Sequence, residues 1–329
     1  MAIGNGEGRR MTILAGIDEA GFGPLLGPLV VSSCAFAVAP EHVEADLWQV
    51  LKKSVGKTRK HLRGRLLIAD SKKAYKRDEG LGHLERTILA AMRCLGQTPG
   101  TLGGFLKLVC PECHRRVLDC PWYQGAEGRA LPCDGADLRI ASGVFAGDMA
   151  NARAALTDVS AYCLDAGHYN MLVERMKNKS QVLFVTTTRL LQGLMDRFAD
   201  QDIHILVDRQ GGRIHYREHL LRSFGQMELR IVEETERTSA YVLRGRSRAV
   251  HLRFEVGADD RHLPVALASM VSKYVRELLM ECMNGYFGQM HPDLRPTAGY
   301  WTDGLRFLED LRRCVPELHI DRRQFVRCR

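Results

Sequence analysis

An apolar run, Ile13 to Ile17, ends in two adjacent carboxylates, Asp18 and Glu19, and opens at once into the loop Ala20-Gly21-Phe22-Gly23-Pro24-Leu25-Leu26-Gly27-Pro28. No other stretch constrains the fold as much. The run reads as a strand, and Leu29 to Val38 reads as a second, so the chain begins as a hairpin-like pair. The glycines between them leave backbone N–H groups open to close approach. A carboxylate pair beside a bare backbone is what a divalent cation and a phosphate need together. Taken alone, the two acids are equally a solvated pair at a hairpin end.

The chain of 329 residues, 45% hydrophobic and 26% charged, has room for one large globular domain or a core domain with additions. It contains no apolar run of membrane-spanning length. Residues Met1 to Arg10 lack the apolar core of a signal peptide, so cytoplasmic residence is expected, with 1–10 a disordered leader and Met11 an equally good start. The net charge of +8 is unevenly distributed: Lys52, Lys53, Lys57, Arg59, Lys60, Arg63, Arg65, Lys72, Lys73, Lys76 and Arg77 face the single acid Asp70 in their stretch. A solvated helix face balances lysine with glutamate at helical spacing. That balance is missing here, which favours a surface turned toward phosphates.

Leu66 to Ala69 reads as a short buried strand leading into Asp70-Ser71-Lys72-Lys73, and apolar residues from Leu81 to Leu95 recur at helical spacing. Gly100 to Ala141 is rich in Gly, Pro and Cys and reads as an insertion. Helical patterns resume over Met149 to Lys177 and Thr188 to Phe198. Ile203 to Asp208 is a strand ending in a carboxylate, with Gly211-Gly212 permitting a turn beyond it. Val250 to Val256 alternates as a half-buried strand. A long helix then runs from about Pro264 to Gly285, preceded by Asp259-Asp260.

Ten cysteines without a secretory signal argue against a disulfide framework. Six (Cys34, Cys94, Cys163, Cys282, Cys314 and Cys328) are scattered. The other four, Cys110, Cys113, Cys120 and Cys133, are spaced so that tetrahedral Zn²⁺ is a candidate, with His114 a possible substitute ligand. A loop of unconnected thiols, or a redox pair at the Cys-x-x-Cys, remains the alternative. Arg115, Arg116, Trp122 and Tyr123 nearby suit either nucleic-acid contact or the core of a small module.

Five stretches in register carry a family resemblance. Asp18-Glu19-Ala20-Gly21-Phe22-Gly23-Pro24-Leu25-Leu26-Gly27-Pro28 resembles the opening motif of the type 2 ribonuclease H family, Asp-Glu-Ala-Gly-Arg-Gly-Pro-Leu-x-Gly-Pro. Asp70-Ser71-Lys72-Lys73 matches its Asp-Ser-Lys-Lys, and Val207-Asp208 stands where its third carboxylate ends a strand. Ala268 to Met280 is similar to its helix Ala-Ser-Ile-x-Ala-Lys-Val-x-Arg-Asp-x-x-Met, with Glu277 at the position taken as the last catalytic acid. Gly299-Tyr300-Trp301-Thr302 is similar to its Gly-Tyr-x-Thr.

The resemblance implies a ribonuclease H-like α/β fold, a mixed sheet flanked by helices. The catalytic domain would span 11–289; the Cys-rich insertion at 100–141, a candidate zinc site on its cysteine spacing, is not something the family core needs. A mostly helical part, 290–329, would complete the substrate groove, with Arg312, Arg313, Arg322 and Arg323 adding charge. It also implies that Asp18, Glu19, Asp208 and Glu277 hold two Mg²⁺ or Mn²⁺ ions and hydrolyse the phosphodiester at ribonucleotides in RNA–DNA hybrids or duplex DNA. The products would carry 5′-phosphate and 3′-hydroxyl ends. Gly21, Phe22, Gly23, Ser71, Lys72, Lys273 and Tyr300 would bind the substrate, and the protein would act as a monomer away from membranes. Phe22 replaces the family's arginine and removes a charge meant for phosphate. A nuclease of altered specificity, or a nucleic-acid-binding protein without turnover, are therefore the competing expectations; acids at all four positions count against the second.

Overall fold

A computed structural model describes residues 11–133, 135–245 and 248–328; the expected leader, 1–10, lies outside them. The chain opens with strands β1 (Thr12–Ala20) and β2 (Leu29–Val38), then helix α1 (Leu47–Val50), the two-residue strands β3 (Val55–Gly56) and β4 (Leu66–Leu67), and helices α2 (Ser71–Ala74) and α3 (Gly82–Cys94). Next come α4 (Leu102–Val109), α5 (His114–Leu118), α6 (Ala136–Asn151), β5 (Ala154–Leu164), α7 (Ala166–Met176) and α8 (Lys179–Arg197). Strand β6 (Ile203–Asp208) and α9 (Arg217–Ser223) precede the meander β7 (Glu228–Glu234), β8 (Thr238–Arg244) and β9 (Ala249–Glu255). The helices α10 (Leu263–Gly288), α11 (Trp301–Cys314) and α12 (Arg322–Phe325) follow.

Seven strands form one mixed sheet in the order β5-β2-β1-β6-β9-β8-β7. Strand β2 runs antiparallel to both β1 and β5, whereas β1, β6 and β9 are mutually parallel. The sheet is mixed, as expected from the sequence, and the β8–β7 hairpin extends one edge. Parallel neighbours bring like ends together: Ile17 pairs with Val207, so Asp18 and Asp208 lie at the same end of adjacent strands, a spacing of roughly 5 Å.

Helix α10 lies across β1 and β2, and a missing side chain makes this possible. A Cβ on Gly16 would stand 2.2 Å from the backbone N of Val265 and 2.3 Å from the carbonyl carbon of Pro264. The helix is buried on nearly every side, its apolar residues Ala266, Met270, Tyr274 and Leu278 all inaccessible. Its charged residues Arg276 and Glu277 are therefore buried as well, which obliges them to find partners.

Two expectations need correction. The stretch read as helical over 149–177 contains strand β5, which pairs with β2 along its whole length. Leu156, Val159 and Cys163 fall three and four apart and are all buried, so a strand covered on both faces imitates helical spacing. The 100–141 segment is built mostly of helices and joins the main core. Phe105 packs edge-on against Tyr274 with ring centroids 5.7 Å apart, and Trp122 packs against Phe325 at 4.9 Å.

Candidate active site

The carboxylate site forms where β1 and β6 end beneath α10. Asp18 is held from several sides: its own carboxylate accepts from the Glu19 N–H at 2.7 Å, and its carbonyl accepts from the Ser272 hydroxyl at 3.0 Å. The Ser269 hydroxyl also bonds its side chain and donates to Ser71 Oγ at 3.0 Å. The Asp-Ser-Lys-Lys segment is thereby tied to the first carboxylate. Asp70 caps α2 by accepting from the Lys72 N–H at 2.9 Å.

Asp208 accepts from the Ala258 N–H at 2.8 Å, which draws the turn 258–260 to the strand end and brings Asp259 into the group. Burial pushes Asp18 far above the ordinary carboxylate range, reinforced by Glu19 and Asp208. Burial and then Asp208 push Glu19 up to about 8, against the pull of Lys72. Asp208 is raised by burial despite Ala258 and Lys72. Burial, Asp70 and Asp208 raise Asp259 to about 7. Four acids that resist ionising together, with Lys72 as a cation acting on two of them, form a hard-oxygen set short of positive charge. That donor chemistry fits Mg²⁺ or Mn²⁺. The side chains are not drawn onto one point: among the described residues no three His, Cys, Asp or Glu form a group that could hold a metal ion as they stand.

Glu277 does not belong to this group. Its Oε1 accepts from Lys273 and Arg276, each at 2.8 Å, and its Oε2 accepts from the Tyr75 hydroxyl at 3.1 Å. Burial alone would raise it, but Arg276 and Lys273 hold it below the ordinary range. The position taken as the fourth acid thus neutralises a buried arginine, and Asp259 stands with the other three. A signal for this exists in the sequence, where Asp259-Asp260 precedes α10, but two acids before a helix also fit an ordinary helix start. Asp260 instead meets Lys73 at 2.5 Å.

The other candidate residues surround this cluster. Gly21 has φ +89, and a Cβ there would meet the Pro28 carbonyl at 2.5 Å and Arg276 Nε at 2.7 Å, so only glycine fits. Phe22 is half-buried, with Lys179 Nζ 5.6 Å from its ring centroid. The Gly299 carbonyl accepts from the Leu25 and Leu26 N–H groups at 2.8 and 3.0 Å, docking the Gly-Tyr segment on the loop. Tyr300 is exposed, its ring 5.8 Å from the Arg276 guanidinium. Together with Tyr75, Lys273 and Glu277 it lines a cavity of about 400 Å³.

The four cysteines proposed for zinc are not gathered. Cys110 and Cys113 share a side-chain hydrogen bond, and Cys113 Sγ accepts from the Cys163 N–H at 3.2 Å. Cys120 turns its thiol to the Arg116 carbonyl at 3.8 Å. Cys133 lies beside α3, where its carbonyl accepts from Arg93 at 3.2 Å. The first three pack with α4, α5 and β5, while Cys133 leads into α6.

No family model matches the chain. Ribonuclease HII of Methanocaldococcus jannaschii is 44% identical over 81 residues, covering 24% of this chain and 30% of that protein. The chain thus aligns with less than a third of that relative's length. Among solved structures, the PCNA:RNase HII complex from Archaeoglobus fulgidus contains a chain similar over 96% of this one and 94% of its own, at 17% identity and a TM-score of 0.43. Aquifex aeolicus RNase H3 is similar over 95% of this chain and 70% of its own, at 15% identity and a TM-score of 0.43.

Proposed function

We propose that this chain is a type 2 ribonuclease H, a divalent-metal-dependent endonuclease that cuts at ribonucleotides in RNA–DNA hybrids or within duplex DNA, a reading supported by its motifs and by the 81 residues it shares at 44% identity with a ribonuclease HII. The observation that carries this reading is the set of Asp18, which is buried, with Glu19, Asp208 and Asp259, which are half-buried, acids whose charges repel unless a cation stands among them. These four would hold Mg²⁺ or Mn²⁺. Such ions, when bound, activate the attacking water and stabilise the charge that develops on the phosphate.

The remaining work falls to side chains of this chain. Lys72, which acts on both Glu19 and Asp208, would meet the phosphate at the cut. The Ser71–Ser269–Asp18 chain of hydrogen bonds would keep that lysine's segment in register with the carboxylates. The exposed Tyr300 ring would stack on the sugar or base beside the scissile bond. Hydrolysis at the ribonucleotide would leave a 3′-hydroxyl and a 5′-phosphate.

Phe22 favours a second reading within the same chemistry, altered preference between hybrid and single-ribonucleotide substrates. One set of reactions tests both: a duplex with one ribonucleotide, an RNA–DNA hybrid and an all-DNA duplex, each with Mg²⁺ or Mn²⁺. Asp18→Asn and Asp208→Asn serve as blanks. Cutting confined to the first two substrates and lost in both variants supports the nuclease. Salt-sensitive binding without cutting in either metal rejects it.

A further inference from the structure

The loop that lacks the family's arginine is held from beneath by another one. Arg327 donates from Nη1 to the Gly21 carbonyl and from Nη2 to the Phe22 carbonyl, the latter at 2.9 Å. It is 3% exposed, its guanidinium lies 4.1 Å from the Tyr169 ring centroid, and no carboxylate pairs with it among the described residues. The position is well fixed. The Arg327 N–H donates to the Leu25 carbonyl at 3.0 Å, Val326 bridges to Leu26, and Asn170 bonds the Arg323 and Val326 carbonyls at 2.7 Å each. Asn170 also accepts from the Cys328 N–H at 2.7 Å.

In a trans peptide the N–H points opposite to the carbonyl that precedes it. Tying back the carbonyls of Gly21 and Phe22 therefore turns the N–H groups of Phe22 and Gly23 to the other side of the loop. Neither N–H has a partner among the described residues. Successive N–H groups aimed one way form a concavity suited to an anion or a hydroxyl oxygen. Two buried guanidinium nitrogens beside this loop, the Nε of Arg327 and of Arg276, also lack partners; Arg276 is paired with Glu277, so the charge of Arg327 is the one left without a carboxylate behind the loop.

We propose that Arg327 is a positioning residue for ribonucleotide recognition, orienting the Phe22 and Gly23 N–H groups toward the ribose 2′-oxygen and its phosphate. In this arrangement charge that the family places on the loop tip comes from below, through the peptide dipoles. Lys179, over the Phe22 ring, adds a cation at the rim. The proposal rests on the nuclease reading for its substrate, and its test separates the two.

Arg327→Met and Arg327→Lys would be compared with the unmodified chain on the single-ribonucleotide duplex. Arg327→Gln replaces the Met variant if that one fails to fold. The neutral variant should raise KM about tenfold with kcat within about threefold. Affinity for the all-DNA duplex should stay unchanged, and Arg327→Lys should recover most of the loss. An unchanged KM, or an equal loss of affinity for both duplexes, overturns the proposal. If the unmodified chain cleaves nothing, the nuclease reading fails on its own. The loop is then judged by ¹⁹F NMR of fluorophenylalanine-labelled protein, with the Phe22 resonance assigned through Phe22→Leu. A Phe22 resonance that moves in Arg327→Met supports the positioning role, and one that stays put overturns it.

Discussion

Glu277 shows how three neighbours decide a residue's part. A carboxylate on α10 that faced Asp18 would repel it; this one is claimed by Lys273, Arg276 and Tyr75. Removing its charge leaves Arg276, 1% exposed, without a counter-ion. Glu277→Gln should therefore destabilise the fold by about 3–5 kcal/mol in urea unfolding, the loss typical when one member of a buried pair is removed. A change under about 0.5 kcal/mol would mean that the arginine is satisfied by the Ala298 carbonyl it also reaches at 2.9 Å. Asp18→Asn points the other way. It removes a buried charge held far above its normal pKa by burial and its neighbours, so the metal-free variant should melt at a higher temperature than the unmodified chain.

At the scale of elements, the contact of β1 with α10 depends on Gly16. A methyl group there meets backbone rather than a flexible side chain, so Gly16→Ala should cost about 3 kcal/mol or more, or prevent folding. Near-normal stability in the circular dichroism melt would show that α10 can lift from the sheet. The best-defined elements are legible in the sequence. The strands at 12–20, 29–38 and 249–255 and the helix at 263–288 carry patterns that a buried face or a long apolar helix imposes. Strand β5 is not legible, because burial on both faces erases alternation. The β7–β8 hairpin escapes for the opposite reason: β7 is mostly exposed and offers no apolar rhythm. Asp18, Glu19 and Asp208 are readable because they stand at strand ends. Asp259 sits on a short turn, brought in by the hydrogen bond from the Ala258 N–H to Asp208, a contact between residues 50 apart. Arg327 lies about 300 residues from the loop it supports, a separation that no local pattern can bridge.

At the scale of the whole molecule, the carboxylate cluster links stability to pH and to metal. Glu19 is raised from 4.5 to about 8 and Asp259 from 3.8 to about 7. Across those windows the folded chain binds protons that the unfolded chain releases, so metal-free stability falls as pH rises. The melting temperature without metal should therefore drop between about pH 5 and pH 8. Mg²⁺ or Mn²⁺ should raise it more at about pH 8 than at about pH 5, since a cation replaces the missing protons. A metal-induced shift that is equal at both values would show that the acids do not take up the ion. The basic stretch from Lys52 to Arg77 works at the same scale. Lys52, Lys53, Lys60 and Arg63 are exposed, and duplex binding should weaken steeply with added salt.

The membership of the carboxylate site is tested most directly by the single-turnover cleavage rate of a duplex carrying one ribonucleotide, titrated with Mn²⁺, for the unmodified chain, Asp259→Asn and Glu277→Gln. Asp259→Asn should lower the rate by about a hundredfold or more at any metal concentration, while folded Glu277→Gln should keep the unmodified metal dependence. The reverse order, with Asp259→Asn active and Glu277→Gln dead and insensitive to metal, would return Glu277 to the metal site and remove Asp259 from it.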